Sequence, residues 1–151
     1  MTIRLVKGDL FESGAHALVN PCNCIGVSGA GLAKVFAERF KPEQRQYEHI
    51  AKGGTLHLGE FCVVPREGSP RYIVYFPTKD HWKHSSHLGD VEDGLRSLRG
   101  WLQSVRDVRS IAIPALGCGQ GGLPWPVVRQ RASEILHPVK RVDIALYEPL
   151  G

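Results

Sequence analysis

Two glycine-dense stretches carry the chemistry that residue types alone disclose. Ile111–Trp125 reads IAIPALGCGQGGLPW, with Gly117, Gly119, Gly121 and Gly122 crowded together. Upstream, Gly26-Val27-Ser28-Gly29-Ala30-Gly31 follows the run Ala17-Leu18-Val19-Asn20. A glycine loop between a strand and a helix turns backbone N–H groups toward an anion. Glycine suits it because positive φ is open to it and no Cβ holds the ligand away. Two such loops in one small chain imply a ligand with two phosphates, held from both sides.

Neither standard nucleotide motif is met. Gly117-x-Gly119-x-x-Gly122 fits GxGxxG literally, but the chain ends one helix and one strand later, too soon for a Rossmann domain. Gly29–Lys34 lacks the GK[ST] of a P-loop. His81, His84 and His87 recur every third residue beside Asp80 and Asp90, yet a loop of this kind reads as facing solvent or substrate, and no metal is assigned. Cys22 and Cys24 are too close for the usual zinc spacing.

The elements that would position these loops follow from periodicity. Strands are expected at Thr2–Lys7, Ala15–Asn20, Phe61–Val64, Arg71–Phe76, Ile111–Ile113 and Val142–Tyr147. Helices are expected at Gly31–Phe40, from Pro42 to Gly53-Gly54, from a Ser86 cap to about Val105, and over Pro126–Leu136, with Pro124 suited to the first turn. Val91, Leu95, Leu98 and Leu102 form a clear apolar stripe on the third helix. Strands alternating with helices imply an α/β chain whose mixed, largely parallel sheet is covered on both faces. Ligands on such sheets bind at the carboxyl ends of the strands, where both glycine loops fall.

With 151 residues, 42% of them hydrophobic, one domain over residues 1–151 is expected. The net charge of +4 mildly favours an anionic partner. No apolar run approaches the ~20 residues of a membrane span, and MTIRLVKGDL has no signal-peptide core. A reduced, cytoplasmic protein without a membrane partner is the reading.

The order Gly8-Asp9-Leu10, Val19-Asn20-Pro21-Cys22-Asn23, Gly26–Gly31 and Ile113-Pro114-Ala115-Leu116-Gly117-Cys118-Gly119 resembles the macrodomain family, which binds ADP-ribose, over nearly the whole chain. Gly29–Ala33, Phe76–Trp82 and Gly121–Trp125 look most like its DarG-type antitoxin branch, related to terminal ADP-ribose glycohydrolase. The human-type relative has a catalytic aspartate in the second glycine loop. Here that stretch reads Gln120-Gly121-Gly122, which argues against a protein-glutamate hydrolase.

The resemblance implies a three-layer α/β/α macrodomain and a ligand set. Asp9 would accept from the adenine amino group, with Leu10 beside it. Asn23 would face the distal ribose, and Asn20 joins the set with a purely bracing role open to it. Gly29, Ala30 and Gly31 would meet the distal ribose and diphosphate. Leu116, Gly117, Cys118, Gly119, Gln120 and Gly121 would wrap the phosphates from the other side. Lys79 would carry the chemistry, attacking C1″ as a neutral amine or protonating the leaving base as an ammonium. His81 and Trp82 are candidate contacts to substrate DNA. Trp82 could stack on a base or pack on the following helix. Cys118 is not expected as a nucleophile, having no histidine near it in sequence.

The function implied is a hydrolase that binds ADP-ribose and removes it from bases of single-stranded DNA, reversing a DarT-like toxin. The partners would then be ADP-ribose, ADP-ribosylated single-stranded DNA and that toxin, with a monomeric domain and no cofactor. A reader module without turnover, or a hydrolase of small ADP-ribose derivatives, stands as the alternative.

Overall fold

The computed structural model describes residues 3–149. The elements run β1 (Ile3–Val6), a 3-10 turn (Leu10–Glu12), β2 (Ala17–Asn23), α1 (Gly31–Arg39), α2 (Lys41–Lys52), β3 (Cys62–Pro65), β4 (Tyr72–Lys79), α3 (Leu88–Ser104), β5 (Ser110–Ile113), α4 (Trp125–Leu136) and β6 (Asp143–Tyr147). They build one six-stranded sheet in the order β1-β6-β5-β2-β4-β3. Every pairing is parallel except β3 with β4. A two-residue step cannot join parallel strands, so helices make the crossovers and cover both faces.

On one face Val91, Leu95, Leu98 and Leu102 of α3 join Ala132, Ile135 and Leu136 of α4 over Val19, Val74, Ile111 and Ile144. On the other, Phe36 of α1 and Tyr47 of α2 close over Leu18, Ile73 and Ala145. The central strands are therefore apolar on both faces, and the layers are helix, sheet, helix. Gly94 lets α3 lie close to the sheet: a Cβ there would meet the Phe76 ring.

Several boundaries differ from the sequence reading. Ser86 does not cap α3. The cap residue is His87, whose side chain makes no capping bond, and Ser86 is buried against the second glycine loop. α4 begins at Trp125 with Pro126 in its first turn, so Pro124 occupies the cap position rather than the first turn. β2 starts later than Ala15 and runs past Asn20 to Asn23, carrying Pro21. β4 likewise continues past Phe76 to Lys79. Of the first strand, Thr2 lies outside the described residues. Leu5 is 52% exposed on this edge strand, which has one neighbour, β6.

The cleft at the carboxyl edge of the sheet

Because β1, β6, β5, β2 and β4 all run the same way, their carboxyl ends share one edge. A cleft of about 1220 Å³ opens along it. At one end stand Asp9, after β1, and Tyr147 and Glu148, at the end of β6. The loop after β5 and the loop after β2 face each other in the middle. Lys79 and Trp82, at the end of β4, close the other end. Four strand spacings separate the β1 and β4 ends, roughly 19 Å.

The first loop is built by Asn23. Its Oδ1 accepts from the N–H groups of Ile25, Gly26 and Val27 at 3.0–3.2 Å, and its Nδ2 donates to Val27 O at 2.8 Å. Tyr47 Oη, stacked ring on ring with Tyr75 at 4.6 Å, donates to Asn23 O at 2.7 Å and holds the residue from below. Burial pushes the Tyr47 hydroxyl pKa well up, so it stays a neutral donor. The N–H groups of Ser28, Gly29 and Ala30 have no acceptor among the described residues. Those of Gly31, Leu32 and Ala33 are the open first turn of α1, whose cap residue Ala30 has no side chain to satisfy them. The helix dipole adds partial positive charge at the same place.

The second loop is folded on itself. Cys118 N donates to Ala115 O, Gly122 N to Gly119 O, and Leu123 N to Gly117 O. The N–H groups of Gly119, Gln120 and Gly121 are left without an acceptor among the described residues. Gly117 sits at φ +74°, and Gly121 packs so close to Ser86 that a Cβ would collide with it. Ser86 N also donates to Gly121 O at 3.0 Å, tying this loop to the segment that leads into α3.

Lys79 is set by an irregularity in the sheet. Cys22 pairs with Pro77 but Asn23 pairs with Lys79, so Thr78 is an extra residue in β4. Such a bulge re-aims the next side chain. Lys79 lies opposite Asn23 on the cleft wall, and its Nζ donates to Trp82 O at 3.1 Å.

Most of the ligand set read from sequence lines the cleft: Asp9, Leu10, Asn23, Gly29, Ala30, Gly31, Gly117, Gly119, Gln120 and Gly121, with Lys79 and Trp82. Asn20, Leu116, Cys118 and His81 do not. Asn20 is wholly buried and points its amide into the core; Leu116 belongs to the α3–α4 side of the core. Cys118 Sγ turns back toward Leu116 O, and burial pushes its thiol up to about 11, which disfavours the nucleophilic thiolate. Asn23, rather than Asn20, is the brace of the first loop. Asp9 Oδ1 caps the 3-10 turn by accepting from Phe11 N at 2.9 Å, and the residue lines the end of the cleft. Among the described residues no three His, Cys, Asp or Glu side chains converge to hold a metal. None of the described helices is long and apolar enough to cross a membrane.

Sequence reasoning missed Phe11, Val35, Arg39, Thr78, Tyr147 and Glu148 as lining residues. Val35 and Arg39 follow Gly31 at helical spacing and share its face, so a helical projection could have found them. Tyr147 and Glu148 had no local signal; they reach the cleft because β6 lies between β1 and β5.

Free N–H groups converging from two loops at the carboxyl edge of a parallel sheet define an α/β domain with a site for a phosphorylated, elongated ligand. The chain belongs to the Macro domain family, whose sequence profile matches residues 19–132. It is similar to the macrodomain of Thermus aquaticus DarG, at 43% identity and TM-score 0.93 over 98% of this chain and 99% of that one. The macrodomain of Mycobacterium tuberculosis DarG is 36% identical with TM-score 0.94, over 99% of each chain. Thermosipho africanus DarTG, solved in complex with ADP-ribose, is 31% identical with TM-score 0.88 over 97% of this chain and 42% of that one. Among curated proteins, the DNA ADP-ribosyl glycohydrolase of Thermus aquaticus is 43% identical over 98% of this chain and 41% of its own length. The corresponding Mycobacterium tuberculosis protein is 37% identical over 96% of this chain and 42% of its own length. The chain thus spans about two-fifths of the length of the curated relatives it matches.

Proposed function

We propose that this domain holds ADP-ribose in the cleft and hydrolyses the N-glycosidic bond between the distal ribose and a base of single-stranded DNA, reversing a DarT-like toxin. The observation that carries the reading is the order of groups along the cleft: a carboxylate at one end, two facing sets of free N–H groups in the middle, and one lysine at the other. Adenine lies toward Asp9, the diphosphate between Gly29–Ala33 and Gly119–Gly121, and the distal ribose between Asn23 and Lys79. The relatives named as DNA ADP-ribosyl glycohydrolases support the same reaction.

In this arrangement the C1″–N bond breaks with its electron pair leaving on the base. The Lys79 ammonium, anchored on Trp82 O, stabilises and protonates the departing base. Water adds to C1″ and its proton passes to the Lys79 amine, restoring the ammonium; ADP-ribose and the restored base are the products. The two N–H sets fix the diphosphate so that C1″ is presented to Lys79.

The test is the return of an ADP-ribosylated single-stranded oligonucleotide to its unmodified mobility, with wild type and Lys79→Ala. Loss of one general acid should lower kcat by about 10²–10⁴ while ADP-ribose still binds. ADP-ribose binding without any release by the wild type would leave a reader module and refute the reaction.

A further inference from the structure

We infer that Trp82 is a stacking platform for the base next to the modified nucleotide, so that the domain's substrate is a single strand read as a strand and not only its ADP-ribosylated unit. The inference rests on the reaction proposed above. Trp82 is 48% exposed, lines the cleft at the Lys79 end, and is one of four large apolar side chains that stand exposed among the described residues. Among the described residues the ring's aromatic and cationic partners are His81 and Lys83 of its own segment. Its neighbours suit a polyanion that carries aromatic bases. The Lys83 ammonium lies 5.2 Å from the ring centroid, and the His81 ring is stacked beside it at 5.4 Å.

The one carboxylate within this segment is occupied: Asp80 holds His84 Nδ1 at 2.6 Å, and that contact keeps the Asp80 carboxyl below its usual range. The acid therefore opposes a phosphate less than an isolated one would, while Lys83 and Lys79 bring two basic side chains to the same segment. The segment is also fixed in place. Lys79 Nζ binds Trp82 O, Lys83 N binds His81 Nδ1, and Ser86 N binds Gly121 O of the second glycine loop. A base leaving C1″ beside Lys79 carries its own backbone out of the cleft past Trp82. The neighbouring base then meets the ring, and Lys83 exchanges the ring for a phosphate. Base–aromatic stacking tolerates any base, so the platform gives preference for a strand without sequence specificity.

The test compares three ADP-ribosylated substrates: the mononucleoside, a short single-stranded oligonucleotide, and the same oligonucleotide with abasic sites flanking the modified nucleotide. Both kcat/KM and binding by fluorescence anisotropy are read for wild type, Trp82→Ala and Trp82→Phe, with thermal melts to check folding. Wild type should favour the intact oligonucleotide over the mononucleoside by about tenfold to a hundredfold, and the abasic flanks should remove most of that ratio. Trp82→Ala should bring the ratio toward one; Trp82→Phe should keep most of it. Lys83→Gln should reduce the slope of log K against log salt by about 0.7. A wild-type ratio indifferent to abasic flanks, or a ratio unchanged in Trp82→Ala, overturns the platform. A wild type that releases no ADP-ribose from any substrate refutes the reaction instead, and the platform is then decided by the same ratios in binding.

Discussion

Gly121→Ala tests how the second glycine loop is held open for a ligand. A Cβ at this position would stand 2.5 Å from Gly117 O and 2.8 Å from Ser86 Cβ, and closer still to Ser86 Oγ. Alanine can adopt the backbone conformation, since Gly121 is not among the positive-φ glycines. The cost is therefore overpacking, about 1–3 kcal/mol. For a domain of this size that lowers the melting midpoint by roughly 2–12 °C. The loop relieves the collision by moving Gly121 away from Ser86, and this turns the N–H groups of Gly119, Gln120 and Gly121 from their present aim. ADP-ribose affinity by calorimetry should fall by about tenfold or more, since a hydrogen bond to a charged group contributes ~1.5–3 kcal/mol. Gly119→Ala is the control for stability: a Cβ there meets nothing within 4 Å, and its midpoint should stay within about 1 °C. Ser86→Gly combined with Gly121→Ala should recover only part of the loss, because the Gly117 carbonyl still blocks the methyl. A Gly121→Ala protein with wild-type midpoint and wild-type ADP-ribose affinity would refute the idea that close packing on Ser86 aims this loop.

Asn23→Ala removes the one acceptor shared by Ile25, Gly26 and Val27, and should destabilise the fold by about 1–3 kcal/mol while weakening ADP-ribose binding. Asn23→Asp keeps the acceptor oxygen but sets a negative charge beside the diphosphate site; stability should partly recover while calorimetry shows affinity falling further. Burial pushes the Cys24, Cys62 and Cys118 thiols from 9.0 up to about 11. At pH 8 iodoacetamide should therefore label them about a hundredfold more slowly in the folded protein than in the urea-unfolded chain. The rate should climb with pH toward about 11. Because folding favours the neutral thiol, the stability these groups confer is whole below pH 9 and is lost as pH rises through 11.

Much of the fold was legible in the sequence because its signals are local. The α3 stripe of Val91, Leu95, Leu98 and Leu102 repeats at helical spacing, and those residues, with Gly94, are the buried ones. The strand-to-loop junction after Ile113 announces itself through proline and glycine, whose backbone preferences act within a few residues, whereas β2 runs three residues past the expected end at Asn20. Since parallel strands present their carboxyl ends together, two glycine loops after strands already implied one shared site.

What tertiary structure alone decided depends on contacts between distant residues. Asn20 and Asn23 sit in one motif. Only the register against β4 and the reach of Tyr47 from α2 make Asn23 the loop's brace and leave Asn20 in the core. Ser86 looked like a helix cap because serine commonly is one. It is instead the floor of a loop 35 residues away, a contact that no periodicity encodes. The extra residue Thr78, which turns Lys79 opposite Asn23, exists only in the pairing of two strands. The sequence by itself thus determined most of the elements, the sheet's direction and the presence of two glycine loops at strand ends, through backbone chemistry that acts within a turn. Strand order, register and side-chain packing determined which end of the cleft holds the carboxylate and which the lysine, because those are distances between residues far apart in the chain.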